Sequence, residues 1–310
     1  MSRGKTGEGI FDPSSETMEV RSRTTSRLFN YVELTKPRLT LLSVMTTLAG
    51  YYLGARGNLD LLPLFLTLAG TFLVGGGCAV LNMVIEIQED GMMKRTSGRP
   101  LPSGKVTSRE AVVLGIVLTI GGLLTLFFFA NLLAVLLAAA TFVSYVFLYT
   151  PLKRRTTLNT IVGAIPGALP PMIGWAAATG KLEIGALALF ALIFFWQMPH
   201  FLALAWMYRK DYARAGYRML PLIDPEGDAT SRQILLYVAA LLPVSLIPTL
   251  VGISGPVYFF GAVVLGLLFL WLSFRFAISR ENRAAKSVFH FSLVYLPILL
   301  LAMAIDGPTF

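Results

Sequence analysis

The sequence predicts an all-α fold: a polytopic membrane bundle of about nine transmembrane helices around a central chamber that opens to the cytoplasmic side. Composition is the first reason. The chain of 310 residues is 55% hydrophobic and only 14% charged, with a mean hydropathy of +0.69, whereas about a quarter of the residues in a soluble domain are charged. Length is the second reason, because apolar runs of about 20 residues recur, each long enough to cross a bilayer as a helix.

The runs that qualify as spans follow one another over most of the chain. They cover residues 39–55, 64–86, 111–130, 132–150, 159–177, 185–206, 234–253, 257–276 and 287–305. Several contain proline, which spanning helices tolerate better than soluble ones. Residues 1–30 are polar and rich in Ser, Thr and Gly, so we expect a disordered leader there. The rest, residues 31–310, is predicted to be one intramembrane domain.

The distribution of basic residues predicts the orientation. The net charge is +9. With nine spans, Arg56 and Lys181 stand on one side of the membrane, and every other Lys and Arg falls on the opposite side. The positive-inside rule then places the N-terminus and the large loops in the cytoplasm and the C-terminus outside the cell membrane. This topology explains the positive charge without a nucleic-acid partner.

An acidic and amide motif closes the second span. Asn82, Glu86 and Asp90 are spaced i, i+4 and i+8, which predicts one helix face about 12 Å long. Carboxylates beside apolar sequence need compensation, and Mg²⁺ prefers such oxygen ligands. We therefore expect Asn82 to orient a site in which the two carboxylates bind metal. A solvated helix end is the alternative. The following loop supplies bases that can grip phosphate: Lys94, Arg95 and Arg99.

The loop after the sixth span echoes the loop after the second, since acidic residues, bases and a proline segment follow in that order. This weak repeat predicts two half-bundles that face each other with a site between them. Asp211 is the expected metal ligand from the opposite half, and Lys210 and Tyr212 are expected to bind substrate. A solvated cluster of charges is the alternative.

Two further groups are candidates for substrate binding. Tyr149, Lys153 and Arg154 follow the fourth span and are expected to contact a diphosphate or a propionate. Topology or anionic headgroups would also explain these bases. His200 lies inside the sixth span, and an intramembrane histidine that faces a cavity is a functional candidate. A hydrogen-bonded structural histidine is the alternative.

These motifs resemble a known family. The pattern N-x-x-x-E-x-x-x-D followed by M-x-R-T-x-x-R-P-L-P is similar to that of the UbiA-type intramembrane prenyltransferases. Other segments resemble the protoheme IX farnesyltransferase (haem O synthase) branch: Trp196-Gln197, Pro199-His200-Phe201, Asp211-Tyr212-Ala213-Arg214-Ala215-Gly216 and Met219-Leu220-Pro221. The resemblance covers about residues 30 to 305. The chain departs from the family pattern at Ile87 and Gln88, where Arg and Asp are frequent.

The resemblance implies an enzyme that uses farnesyl diphosphate and haem B, with Mg²⁺, to form haem O and pyrophosphate. It also implies contact with membrane lipid and a place beside haem A synthase or the assembly of a terminal oxidase. Two alternatives stay open. A related prenyltransferase acting on an aromatic or quinone precursor would share the acidic motif but would not need His200. A non-catalytic haem carrier would need no site for metal and diphosphate.

Overall fold

The computed structural model describes residues 27–307, and all regular structure in that part of the chain is helical. The predicted all-α class is confirmed. The helices are α1 (27–34), α2 (Pro37–Ala55), α3 (Leu61–Ile85), α4 (Ile87–Met92), α5 (Ser108–Phe129), α6 (Leu132–Leu152), α7 (Asn159–Thr179), α8 (Ile184–Met207), α9 (Arg209–Arg214), α10 (Leu220–Ile223), α11 (Asp228–Leu250), α12 (Pro256–Ser279) and α13 (Asn282–Ile305). The predicted leader lies outside the described residues, apart from 27–30, which belong to α1.

Eight helices within residues 27–307 are long and apolar enough to cross a membrane: α3, α5, α6, α7, α8, α11, α12 and α13. Each coincides with a predicted span. The first predicted span, 39–55, lies in the 19-residue helix α2, which is not among the eight. The buried face of α2 explains its weaker hydropathy, because that face is built largely from threonine and glycine, as at Thr47, Gly50 and Gly54.

Burial separates central helices from peripheral ones. More than half of the apolar window is buried in α3 (56%), α7 (67%) and α8 (56%), whereas the share is 22% in α5 and 17% in α6. The outer helices therefore expose apolar side chains of the kind that lipid covers. The candidate motifs at Asn82 and His200 lie on two of the three central helices, α3 and α8.

Glycine allows α2 and α7 to pack with their backbones in contact. A Cβ added at Gly50 would lie 1.9 Å from the carbonyl oxygen of Pro171, and one added at Gly174 would lie 1.9 Å from that of Thr47. No larger residue fits either position. Small residues at helix contacts are a common feature of membrane bundles, and here they fix α2 against the second half of α7.

Two helices are irregular near the candidate site. In α6, residues Ser144–Tyr149 form a π-helical turn, in which Thr150 Oγ1 donates to the carbonyl of Tyr145 at 2.9 Å. In α7, the helix breaks at Leu169, just before Pro170, because proline cannot donate the next backbone hydrogen bond. The π turn directs the end of α6 toward the end of α3.

Candidate active site

The acidic motif spans a helix break rather than one continuous helix. Helix α3 ends at Ile85, and Glu86 (φ −101°, ψ 20°) joins it to the short helix α4. The i to i−4 hydrogen bonds still cross the break, from the Glu86 amide to the carbonyl of Asn82 at 3.0 Å and from the Asp90 amide to that of Glu86 at 2.8 Å. The predicted single helix is wrong, but its side-chain register is retained.

Asn82 lies at the centre of a buried polar network. Its Oδ1 accepts from Lys36 Nζ at 2.8 Å. Its Nδ2 donates to Glu86 Oε2 at 2.9 Å and to Thr150 Oγ1 at 3.1 Å. All its polar atoms are thus engaged, and Asn82 links helices α2, α3 and α6. This geometry suits the orienting role expected of Asn82.

Glu86 and Lys153 form a buried ion pair. Lys153 Nζ lies 2.7 Å from Glu86 Oε1 and donates to Oε2 at 3.0 Å. Burial alone would raise the pKa of the Glu86 carboxyl, but the Lys153 ammonium outweighs that effect and holds the pKa below its ordinary value. The carboxylate is therefore charged. Because an uncompensated buried charge is costly, neither residue can be removed alone without a penalty.

Lys36 is a site residue that the sequence analysis missed, since it was counted only as one of the leader bases. It precedes Pro37 in a left-handed backbone conformation, with φ of 48°. Burial lowers the pKa of its ammonium to about 7, and the positive charges of Arg99 and Lys153 add to that effect. A lysine directly before the first span, followed by proline, was the available signal.

The other carboxylates of the motif also have basic partners. Arg99 Nη1 donates to Asp90 Oδ2 at 2.6 Å, and Arg154 Nη1 donates to Glu89 Oε1 at 2.7 Å. Asp90 and Glu89 are buried, whereas Arg154 remains largely exposed. The structure thus brings together Arg99, Lys153 and Arg154 with the acidic motif, as predicted, through direct pairs.

The remaining predicted bases lie farther out. Lys94, Arg95 and Lys210 are exposed. The guanidinium of Arg95 lies 5.4 Å from the ring centre of Tyr208, at the end of α8, so the two large loops touch. Their binding of substrate stays a prediction.

The second cluster holds its acid in a local pair. Asp211 pairs with Arg214 on α9, and Tyr212 packs against Tyr217 with ring centres 5.8 Å apart. Among residues 27–307, no group of three or more His, Cys, Asp or Glu is close enough to hold a metal ion. Glu86, Asp90 and Asp211 therefore do not form a preassembled set of three ligands, because each carboxylate is engaged by a base.

Tyr149 lies under the ammonium of Lys153, with 4.6 Å from Nζ to the ring centre. The ring is seated on Gly163 of α7, where an added Cβ would lie 2.5 Å from a ring carbon. A cation over a ring face is favourable, so Tyr149 positions Lys153.

His200 is held between two aromatic rings and one serine. Its ring stacks with Trp196 at 5.2 Å and with Phe289 at 4.8 Å. His200 Nδ1 and Ser292 Oγ are 2.8 Å apart, and Ser292 Oγ donates its proton to the Phe289 carbonyl at 2.6 Å. Since a hydroxyl has one proton, Nδ1 of a neutral imidazole must be the donor. The lone pair of Nε2 is then free for a ligand.

Comparison with known proteins gives the family of this fold and site. The sequence profile of the UbiA prenyltransferase family matches residues 43–296. The chain belongs to the UbiA prenyltransferase family. A protoheme IX farnesyltransferase from Solibacter usitatus is 48% identical over 90% of this chain and 99% of its own length. One from Aquifex aeolicus is 46% identical over 89% of this chain and 94% of its own length.

Solved structures of UbiA-type proteins share the fold. A digeranylgeranylglyceryl phosphate synthase superposes with a TM-score of 0.77 at 20% identity, covering 91% of this chain and 98% of that one. A UbiA homolog from Archaeoglobus fulgidus bound to GPP and Mg²⁺ gives 0.63 at 16% identity, covering 89% and 99%. As a UbiA prenyltransferase, this chain is a multi-pass membrane enzyme.

Proposed function

We propose that this enzyme transfers the farnesyl group of farnesyl diphosphate to a vinyl group of protoheme IX, giving haem O for terminal oxidases. The supporting observation is the buried chain Lys36–Asn82–Glu86–Lys153, which places two cations and a carboxylate at one point between three helices. The relatives described above supply the identity of the substrates.

The reaction requires stabilisation of a leaving anion. The bond between farnesyl C1 and the diphosphate oxygen breaks, the vinyl group forms a new carbon–carbon bond to C1, and water adds to the resulting cation with loss of a proton. Charge therefore develops on the diphosphate as the bond breaks. Lys36, Lys153 and Arg99 are placed to meet it, and preorganised cations lower such barriers by several kcal/mol. The apolar surroundings of the helices exclude water until the bond forms.

The oxygen ligands fit a divalent metal. Glu86 and Asp90 are buried carboxylates one helical turn apart, which suits the preference of Mg²⁺ for one or two carboxylates together with substrate phosphates. Glu86 and Asp90 would hold the metal, with Asp211 as the candidate from the opposite half. The metal, when bound, would neutralise charge on the diphosphate. The bases now paired with these acids would then be free to contact phosphate oxygens, with Lys94, Arg95 and Lys210 at the entrance.

The acceptor half of the proposal rests on His200. Its free Nε2 lone pair suits haem iron, and its sandwich between Trp196 and Phe289 offers flat apolar surface to a porphyrin. Tyr149, Arg154 and Tyr212 are candidate contacts for the diphosphate or the haem propionates. An enzyme acting on an aromatic or quinone precursor is the second candidate, since the acid–base cluster would serve it equally.

The setting of the site is also proposed. We infer one intramembrane domain from residue 31 onward in a cell membrane, with the N-terminus and the site in the cytoplasm and the C-terminus outside. The exclusion of positive charge from the short connections supports this orientation. Haem A synthase and terminal-oxidase assembly stay predicted partners.

A direct assay tests the proposal. Purified protein in lipid is incubated with haem B, farnesyl diphosphate and Mg²⁺, and the products are identified by mass spectrometry. We expect haem plus a farnesyl group and one water. Parallel reactions replace haem B with an aromatic quinone precursor, and a Glu86→Gln sample serves as the control. Prenylation of the precursor but not of haem would overturn the assignment of acceptor.

A further inference from the structure

Tyr217 is a buried tyrosine beside the ion pair whose role the sequence motifs do not explain. It lies in the connection between α9 and α10, and only 5% of its surface is exposed. Its hydroxyl is buried and has no hydrogen-bond partner among the described residues. Buried polar groups nearly always have partners, so this hydroxyl needs an explanation.

The connection that carries Tyr217 is fixed to the site. The Arg218 amide donates to the carbonyl of Lys153 at 2.7 Å, and Asn159 Nδ2 donates to the carbonyl of Arg218 at 2.9 Å. The Tyr217 side chain packs with Met93 and Met219 in a small apolar cluster. The phenol is therefore held in place from both half-bundles before any ligand arrives.

The surroundings of the hydroxyl favour an anionic acceptor. Lys153 Nζ lies 5.8 Å from the centre of the Tyr217 ring. Burial, followed by the nearby Glu86 carboxylate, raises the pKa of the Tyr217 phenol far above its ordinary value, so it keeps its proton and can donate. An ammonium and a phenolic proton beside one carboxylate form a set of donors, which suits a ligand rich in acceptor oxygens.

We propose that the Tyr217 hydroxyl donates a hydrogen bond to an oxygen of the bound diphosphate, alongside Lys153. This inference rests on the proposed function, because it assumes that the diphosphate binds at the Glu86–Lys153 pair. It assigns to the loop between α9 and α10 a direct contact with the leaving group, from the half-bundle opposite the acidic motif. Tyr217 is thus a binding residue in the reaction.

Removing the hydroxyl alone tests the proposal. Tyr217→Phe keeps the ring and its packing. We expect its affinity for Mg²⁺-pyrophosphate and for farnesyl thiodiphosphate, measured by calorimetry, to fall about tenfold, as for the loss of one hydrogen bond to a charged group. Its Tm without ligand should stay equal or rise, because a buried hydroxyl without a partner does not stabilise the fold. Haem binding, measured by absorbance, should be unchanged and reports the folded fraction.

A matched control exists on α13. Tyr295 is also fully buried with an unpartnered hydroxyl, but it packs against Phe269 and Phe291. Tyr295→Phe should leave pyrophosphate affinity unchanged. Equal pyrophosphate affinity in Tyr217→Phe and wild type would overturn the inference, and a lowered Tm with that result would assign the hydroxyl to the fold. If wild type itself fails to bind pyrophosphate, the proposed function fails first, which the wild-type titration shows separately.

Discussion

Lys153 Nζ lies 2.7 Å from Glu86 Oε1 although the two residues are 67 positions apart and belong to different helices. The pair joins the end of α3 to the end of α6. It also places a cation and a carboxylate where the proposed reaction needs a phosphate ligand and a metal ligand. The same contact therefore serves the fold without substrate and the chemistry with it.

Glu86→Gln and Asp90→Asn should each reduce turnover by at least about 10²-fold, because each removes one group that stabilises the leaving anion. Glu86→Gln should also lower Tm, since Lys153 is left as a buried charge without its partner. Turnover by mass spectrometry and Tm by scanning fluorimetry measure the two effects.

The double variant Glu86→Gln/Lys153→Met separates them. It removes both charges, so we expect Tm to recover toward the wild-type value while activity stays absent. Recovery of activity together with Tm would show that the pair acts only in folding.

Lys36 should make diphosphate binding depend on pH. Its pKa of about 7 means that the ammonium loses its proton in the free protein as pH rises through 7. Lys36→Arg keeps its charge over this range. We expect the ratio of wild-type to Lys36→Arg pyrophosphate affinity to fall between pH 7 and 9, by up to about tenfold per unit. The ratio cancels the titration of pyrophosphate itself.

The same shift predicts the sign of a stability effect. The unfolded chain keeps this lysine proton up to about pH 10, whereas the folded chain keeps it only to about 7. The unfolded state thus binds more protons in that window, and the free energy of unfolding should rise with pH there. Lys36→Met should lose this slope, and Lys105→Met, at an exposed loop position, should keep it. Equal slopes in all three proteins would contradict the shifted pKa.

His200→Ala should weaken haem binding while sparing pyrophosphate binding, because the diphosphate relies on the acidic motif and its bases. Ser292→Ala should weaken haem binding less, since it removes the acceptor that orients the Nδ1 proton but leaves the ring. Absorbance titration with haem, beside calorimetry with pyrophosphate, separates the two sites. Unchanged haem affinity with a lowered Tm would make His200 a structural residue.

Gly50→Ala should destabilise the protein by about 1–3 kcal/mol or more, as overpacking does, because the new methyl would lie 1.9 Å from the carbonyl oxygen of Pro171. Gly121→Ala on α5 is the control, since nothing lies within 4 Å of its added Cβ and alanine favours a helix. Thermal unfolding in one detergent compares them. Equal Tm values would show that α2 and α7 can move apart.

Topology is tested with cysteines on a Cys78→Ala background. Ser103→Cys and Lys181→Cys, both at exposed positions, should react with an impermeant reagent from opposite sides of the membrane. Asp306 is unsuitable as the outer site because its Oδ2 accepts from the Tyr258 amide at 2.7 Å and caps α12. Labelling of both cysteines from one side would contradict the nine-span orientation.

The sequence predicted the helices well because each span is a long apolar run whose length alone identifies it. It also predicted Asn82, Glu86 and Asp90 together, since spacing along a helix survives the break at Glu86. Contacts between distant helices were harder to foresee. Glu86 with Lys153 needs the π turn of α6, and nothing in the sequence marks that turn.

Lys36 and Tyr217 were missed for a related reason. Lys36 is indistinguishable in sequence from the bases that set topology, and only its burial against Asn82 separates it from them. Tyr217 stands in a loop without a motif of its own. Conversely, three carboxylates were predicted to share a metal, but each pairs with a base in the structure, because spacing does not reveal which charges neutralise one another.

The π turn at Ser144–Tyr149 also bears on how this enzyme tolerates insertions and deletions. A π turn holds one residue more than an α-helical turn, so deleting one residue there would restore a regular helix and rotate everything after it by about 100°. Thr150 and Lys153 would swing away from Asn82 and Glu86, while the lipid-facing length of α6 would hardly change. A single-codon deletion in this turn would then yield a protein that inserts into the membrane normally and has lost its chemistry.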